Sequence, residues 1–207
     1  MLEIEIKVRV ADLAALRRTL LERGAALVRE RHREDNVLYD TRSGTLKSAR
    51  RALRLRTAGS RTVLTLKGAP LASRRFKIRP EYETVVRDAG STRKILRALG
   101  LSPAFRYAKQ RTELRLGRVK ICLDELAAGT FVELEGERQH IVKLARQLDF
   151  SPRHWIRQDY IEILIEAGYP RGTTHSSSRS GPLSSSGRSS GSASSSPSAS
   201  GSAPSSS

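Results

Sequence analysis

From Leu2 the chain alternates: Leu2, Ile4, Ile6, Val8 and Val10 fall on one side, Glu3, Glu5, Lys7 and Arg9 on the other. A period of two makes this a β-strand with one apolar and one charged face. Asp12 then stands at an N-cap position, and Leu13, Leu16, Leu20 and Leu21 recur at helical spacing up to a stop at Gly24. Beyond it, strand character is read over Ala26–Asp40, Ala52–Thr57, Thr62–Lys67, Phe76–Arg87, Thr112–Leu116, Val119–Asp124 and Thr130–Glu137. Turn-like pieces such as Arg42-Ser43-Gly44 and Ala58-Gly59-Ser60 separate the runs. Helical spacing is read at Ser91–Leu99, ending at Gly100, at Arg138–Leu148, with Ile141, Leu144, Ala145 and Leu148 on one face, and near Asp159–Glu166.

The strands share one property. Opposite the apolar face lie charges: Arg54 and Arg56 alternate with Leu53 and Leu55, Lys67 with Leu66, and Glu133 and Glu135 with Val132 and Leu134. Lys77, Arg79, Glu81 and Glu83 share one side of their strand against Phe76, Ile78 and Tyr82. An open sheet would turn these charges to water as an ordinary solvated face. Closure into a barrel of about eight strands would gather them round a lumen wide enough for one small ligand. A lumen of mixed charge is costly to bury unless a ligand or ions complete it, so a charged guest follows. The expected class is α+β, an antiparallel β-barrel with helices packed outside.

Composition narrows the guest. The chain has 38 Lys+Arg against 21 Asp+Glu, and a Ser/Gly-rich stretch from Gly172 to Ser207 contributes only Arg179 and Arg188 and no acid. That stretch is too poor in apolar residues to build a core and is expected to be disordered, leaving one globular domain over residues 1–171. The basic excess favours polyanions: nucleic acid, anionic membrane or phosphate-rich small molecules. Cys122 is alone, which excludes an internal disulfide, and no apolar run reaches the roughly 20 residues of a membrane span. A cytoplasmic protein without membrane attachment is the default expectation.

The acids come as Glu3 and Glu5, Glu81 and Glu83, Asp124, and Glu133 and Glu135. Carboxylates so placed suit a hard cation such as Mg or Mn, shared with substrate phosphates. The bases Lys7, Arg54, Arg56, Lys67, Arg79, Lys109 and Arg111 would take the remaining phosphate oxygens. Catalysis of this kind works by positioning and electrostatics and needs no covalent nucleophile. Cys122 reads as a packed thiol, and His32, His140, His154 and His175 lack zinc-site spacing. No Walker-type loop or dinucleotide motif is present, so any phosphate is bound by strands.

Glu3-Ile4-Glu5-Ile6-Lys7 resembles the ExExK signature of the CYTH superfamily, the triphosphate tunnel metalloenzymes. These include class IV adenylate cyclases, thiamine triphosphatases and inorganic triphosphatases. Further blocks follow in the family's order: Asp35-Asn36-Val37-Leu38-Tyr39-Asp40-Thr41, Leu53-Arg54-Leu55-Arg56, Leu64-Thr65-Leu66-Lys67-Gly68, Arg79-Pro80-Glu81-Tyr82-Glu83, Lys109-Gln110-Arg111-Thr112, Leu123-Asp124-Glu125 and Phe131-Val132-Glu133-Leu134-Glu135-Gly136. The resemblance implies an eight-stranded antiparallel tunnel that binds a triphosphate lengthwise with Mg or Mn. It implies metal ligands at Glu3, Glu5, Asp124, Glu133 and Glu135, with Glu81 and Glu83 as acids near the site. Phosphate contacts are implied at Lys7, Arg54, Arg56, Lys67, Arg79, Lys109 and Arg111, and catalytic work at Lys7, Glu133 and Glu135. Homodimers are frequent in such families.

Two positions depart from the family. Leu38 stands where thiamine triphosphatases carry a second Tyr, which argues against thiamine triphosphate. Asp159-Tyr160 stands where Ser-Tyr often opens the last helix, a change expected to matter little to the chemistry. The expected function is hydrolysis of inorganic triphosphate or a related small organic triphosphate. Two alternatives stay open: a class IV-type adenylate cyclase, and a nonenzymatic polyphosphate or nucleic-acid binding module. The paired acids count against the module, because they repel a polyanion unless a metal intervenes.

Overall fold

The computed structural model describes residues 2–169. The Ser/Gly-rich tail lies outside these described residues. Nine strands and five helices follow in the order β1 (Leu2–Arg9), α1 (Leu13–Glu22), β2 (Ala26–Asp40), α2 (Thr45–Ser48), β3 (Ala52–Ala58), β4 (Arg61–Lys67), β5 (Lys77–Val86), α3 (Ala89–Ala98), β6 (Ser102–Leu116), β7 (Val119–Leu126), β8 (Gly129–Glu135), α4 (Arg138–Gln147), β9 (Trp155–Ile156) and α5 (Tyr160–Glu166). A 3-10 turn at Pro152–His154 precedes β9. The strands run β5-β4-β3-β2-β6-β7-β8-β1, and β1 also pairs with β5, closing an eight-stranded antiparallel barrel. The short β9 adds to β1 at Lys7 and Val8.

The barrel is apolar outside and charged inside. Ile6, Val8, Leu114, Ile121, Leu123, Val132 and Leu134 turn outward and pack with Leu16 and Leu20 of α1 and Ile141, Leu144 and Ala145 of α4 into the main core. Each fully buried Leu or Ile contributes about 1.5–3 kcal/mol, so the stabilising cluster lies between sheet and helices. Asp12 caps α1 by accepting from the Ala15 amide at 2.8 Å. A smaller cluster, Tyr39, Leu55 and Leu96, seats α3, while Leu38, Phe105 and Leu164 and then Phe131, Tyr160 and Ile163 seat α5. Gly136 links β8 to α4 at φ 155°, where a Cβ would meet the Arg118 carbonyl oxygen at 2.9 Å. That close approach lets the Gly136 amide donate to the Ile4 carbonyl at 3.1 Å and pins the ends of β1 and β8 together.

Three elements differ from the sequence expectation. β6 begins at Ser102 rather than Thr112, because it pairs with β2 along nearly its whole length and so carries Pro103 and Ala104 into the sheet. The four-residue α2 escapes periodicity and is held by Asp40, whose carboxylate accepts from the Leu46 amide at 2.8 Å and the Lys47 amide at 3.0 Å. The two residues of β9 are too few to alternate.

Candidate active site

Antiparallel register decides which charges meet inside the barrel. On β1, Glu3 lies opposite Arg79 and Glu5 opposite Lys77 of β5, while Lys7 lies opposite Glu133 of β8. On β6, Arg111 lies opposite Asp124 of β7, and Lys109 opposite Glu34 of β2. Acid therefore faces base at each of these rungs. The exception is Glu5 opposite Glu135. Like charges directly opposite are unfavourable. Glu5 lies 3.6 Å from Lys77 Nζ and Glu135 lies 3.1 Å from Lys120 Nζ, so each leans on a base from the strand on its far side.

These residues enclose a cavity of about 500 Å³. Glu3, Glu5, Lys7, Arg54, Arg56, Lys67, Arg79, Glu81, Glu83, Lys109, Arg111, Glu133 and Glu135 all line it, together with Lys120, Asp159 and Tyr160 and the apolar Leu38, Ala52, Tyr82 and Ile161. Asp124 is the sequence-predicted site residue outside this lining. It is fully buried on the same inward face, beneath the lining side chains, where its carboxylate accepts from Lys109 Nζ at 3.0 Å, Arg111 Nε at 2.7 Å and Nη2 at 2.5 Å, and the Tyr160 hydroxyl at 2.7 Å.

The cavity divides into three groups. In one, Lys67 Nζ donates to both Glu3 oxygens, at 2.6 and 2.8 Å, and lies 2.9 Å from Glu81. Burial raises the Glu3 pKa, Lys67 opposes this and Glu81 adds to it, and the net result is upward. In the second, Glu133 lies 3.5 Å from Lys7 Nζ and accepts from Arg111 Nη2 at 2.6 Å. Burial would raise Glu133, but Lys7, Arg111 and Lys109 outweigh it and hold the carboxyl well below its usual range. In the third, the Thr65 hydroxyl donates to Glu83 at 2.7 Å, with Arg56 and Arg54 at 3.5 and 3.7 Å. Burial also opposes ionisation of Glu83, yet Thr65, Arg56 and Arg54 keep its pKa lowered.

The start of α5 enters the cavity, which the sequence did not announce. Asp159 pairs with Lys77 and accepts from Arg79 Nη2 at 2.6 Å. Despite burial, Lys77 and Arg79 drive its pKa down, and Asp159 in turn helps to raise that of Arg79. Lys7 Nζ lies 3.9 Å from the centre of the Tyr160 ring and donates to the Gln158 carbonyl at 2.9 Å. Burial and the nearby Glu133 and Asp124 push the Tyr160 phenol pKa well up, so it remains a donor to Asp124. Lys77 and Lys120 were also left out of the predicted site, although their alternation with Arg79 and with Asp124 carried the signal.

A metal suits this chemistry at the β1–β8 face. Glu5 and Glu135 oppose each other, Glu3 is held toward protonation by burial, and all offer the hard oxygens that Mg or Mn prefers. A second group, His32, Glu34 and Glu113, also places its ligand atoms within 4.8 Å of one another. There, His32 Nδ1–H donates to the Glu30 carbonyl, and Nε2 faces both carboxylates at 3.7 Å. Arg56 and Lys109 already stand within 3.5 Å of Glu34, however, and with Arg111 they bring its pKa down to about 2 against the pull of burial. A divalent ion at that point would meet charges of its own sign, as it would at Glu3, Glu5, Glu133 and Glu135, where Lys67, Lys77, Arg111 and Lys120 already stand.

Known proteins share this framework. A Methanocaldococcus jannaschii protein provisionally named an adenylate cyclase is 25% identical over 174 residues, covering 79% of this chain and 98% of its own. A crystal structure from Vibrio parahaemolyticus, also provisionally named an adenylate cyclase, superposes with a TM-score of 0.72 at 25% identity, covering 80% of this chain and 98% of that one. A Hippeastrum protein provisionally named an adenylyl cyclase and described as having a dominant triphosphatase activity shares the fold, with a TM-score of 0.61 at 19% identity over 81% of this chain and 97% of its own. No helix among the described residues is long and apolar enough to cross a membrane. Residues 1–151, which carry all eight barrel strands, match the family described as the CYTH domain, and the chain belongs to that family.

Proposed function

We propose that this protein is a divalent-metal-dependent enzyme that hydrolyses inorganic triphosphate or a related small organic triphosphate within the barrel. One observation carries the reading: eight bases and seven acids line a single cavity, which matches a polyanion together with the cations that accompany it. The triphosphatase activity described for the Hippeastrum protein supports the hydrolytic form. Lys7, Arg54, Arg56, Lys67, Arg79, Lys109 and Arg111 would bind and orient the phosphate chain, the Arg forks gripping paired oxygens and the Lys groups acting as point charges. Glu3, Glu5, Glu133 and Glu135 would hold Mg or Mn, and the ion, when bound, supplies charge neutralisation at the phosphate oxygens. Glu133, whose pKa Lys7, Arg111 and Lys109 hold well below the usual range, would orient an attacking water. Asp124 would hold Lys109 and Arg111 in place in preference to the metal-ligand role that the resemblance implies, since its carboxylate already accepts from both.

The second reading is a class IV-type adenylate cyclase, favoured by the provisional names of all three similar proteins above and by the apolar corner of Leu38, Ala52 and Ile161 on the cavity wall. Phosphorus NMR of products separates the two readings. Orthophosphate and pyrophosphate from inorganic triphosphate with Mg or Mn support the hydrolase. Cyclic AMP and pyrophosphate from ATP establish the cyclase, and metal-independent binding without turnover removes both.

A further inference from the structure

The three residues leading into α5 each engage a base that the proposed function assigns to phosphate, or that base's neighbour. The Gln158 carbonyl accepts from Lys7, the Asp159 carboxylate takes Lys77 and Arg79, and the Tyr160 ring lies against Lys7 and, at 4.9 Å, Lys109. A carboxylate meets an Arg fork and a Lys ammonium as a phosphate does, through two acceptor oxygens. Asp159 takes the hydrogen bonds of both bases, but each keeps a second carboxylate within ion-pair range, Lys77 with Glu5 at 3.6 Å and Arg79 Nε with Glu3 at 3.5 Å. Asp159 thus adds a negative charge beside two bases that already have a carboxylate neighbour.

We propose that Gln158–Tyr160 is an internal occupant of the phosphate cradle, and that a triphosphate must displace Asp159 to reach Lys77 and Arg79. The proposal rests on the phosphate-binding reading above. Asp159 then sets the affinity threshold of the site. An anion gains Lys77 and Arg79 only by releasing a carboxylate that both already hold, so weakly charged anions are held less well than the number of bases suggests. The Asp that stands before Tyr160 where the family often has Ser, a change expected to matter little to the chemistry, is under this proposal the residue that competes with substrate.

The test uses the full chain and a non-hydrolysable probe, bis-methylene triphosphate with Mg, titrated by calorimetry. Asp159→Asn and Asp159→Ser both keep a residue able to cap α5 while removing the charge. Each is expected to bind the probe roughly tenfold tighter than wild type, a coupling of ordinary size between competing charges. The sign is diagnostic, because a merely structural defect weakens binding. Wild-type or weaker affinity in a folded variant overturns the proposal while leaving the phosphate site standing. Absence of binding by wild type and both variants overturns the phosphate reading and the proposal together. In wild type alone, probe binding is expected to raise amide hydrogen exchange across residues 160–166, and unchanged protection there would also overturn the displacement.

Discussion

Asp124→Asn keeps the shape of a fully buried side chain and removes its charge. The native carboxylate accepts from Lys109, twice from Arg111, and from Tyr160 at 2.5–3.0 Å. Removing one partner of a buried ion pair costs about 3–5 kcal/mol, because the other charge is left uncompensated. Two contacts place this case at the low end: Arg111 keeps Glu133 at 2.6 Å, and Lys109 keeps Glu34 at 3.5 Å. A loss of about 3 kcal/mol in a domain of this size lowers Tm by roughly 6–12 °C. Thermal and urea unfolding of metal-free protein, followed by circular dichroism, reads it directly. Tyr160→Phe removes only one donor and should cost about 1 kcal/mol. The double variant should fall short of the sum, since the lost hydroxyl would no longer face a carboxylate. A loss below about 1 kcal/mol for Asp124→Asn, or one seen only with Mg or Mn present, would refute the anchoring role and return Asp124 to the metal.

Three further outcomes are expected. Glu133→Ala or Glu135→Ala should nearly abolish metal-dependent turnover and, for Glu135, weaken Mn binding by at least about tenfold in an electron paramagnetic resonance titration; full activity at limiting Mg would remove either residue from the metal site. Cys122 is buried, and burial pushes its thiol pKa up to about 12, so in native protein at pH 8 it should resist a disulfide reagent that modifies it fully in guanidinium; immediate native reaction would contradict the burial. Truncation after Arg171 should leave kcat unchanged, and a large fall would show that the Ser/Gly-rich segment contributes to the site.

Most of the barrel was legible because its apolar face turns outward beneath helices, so alternation survives in β1, through Leu53, Arg54, Leu55 and Arg56 of β3, and through Val132, Glu133, Leu134 and Glu135 of β8. β6 was cut short because Pro103 and Ala104 interrupt the pattern, while the pairing that makes them sheet comes from β2, far away in sequence. The predicted residues other than Asp124 line one cavity, and most of them come in pairs two positions apart on an inward strand face. Lys120 obeyed the same rule and could have been included, as could Lys77, which touches the site through Glu5 and Asp159. Asp159 and Tyr160 could not have been found that way. They enter the lumen from the start of a helix seated by Phe131, Leu164 and Phe105, a tertiary arrangement with no local periodicity. The only sequence signal was the exchange at Asp159 relative to the family pattern.

The placement of stability and charge explains how such a lumen can exist. Hydrophobic stabilisation is concentrated outside the barrel, in the cluster that α1 and α4 cover, so the interior need not supply it. What the interior must avoid is uncompensated charge, and register achieves this by setting most acids opposite bases. The near balance of eight bases and seven acids has a consequence for binding. A bare triphosphate would meet almost as much repulsion as attraction, and a bare divalent ion would do the same. Bound together, each cancels the charge that opposes the other, so under the proposed function metal and substrate raise one another's affinity by the same factor. A cavity lined by bases alone would bind the polyanion more tightly but lose this mutual dependence, which is what ties occupancy by the anion to the presence of the ion.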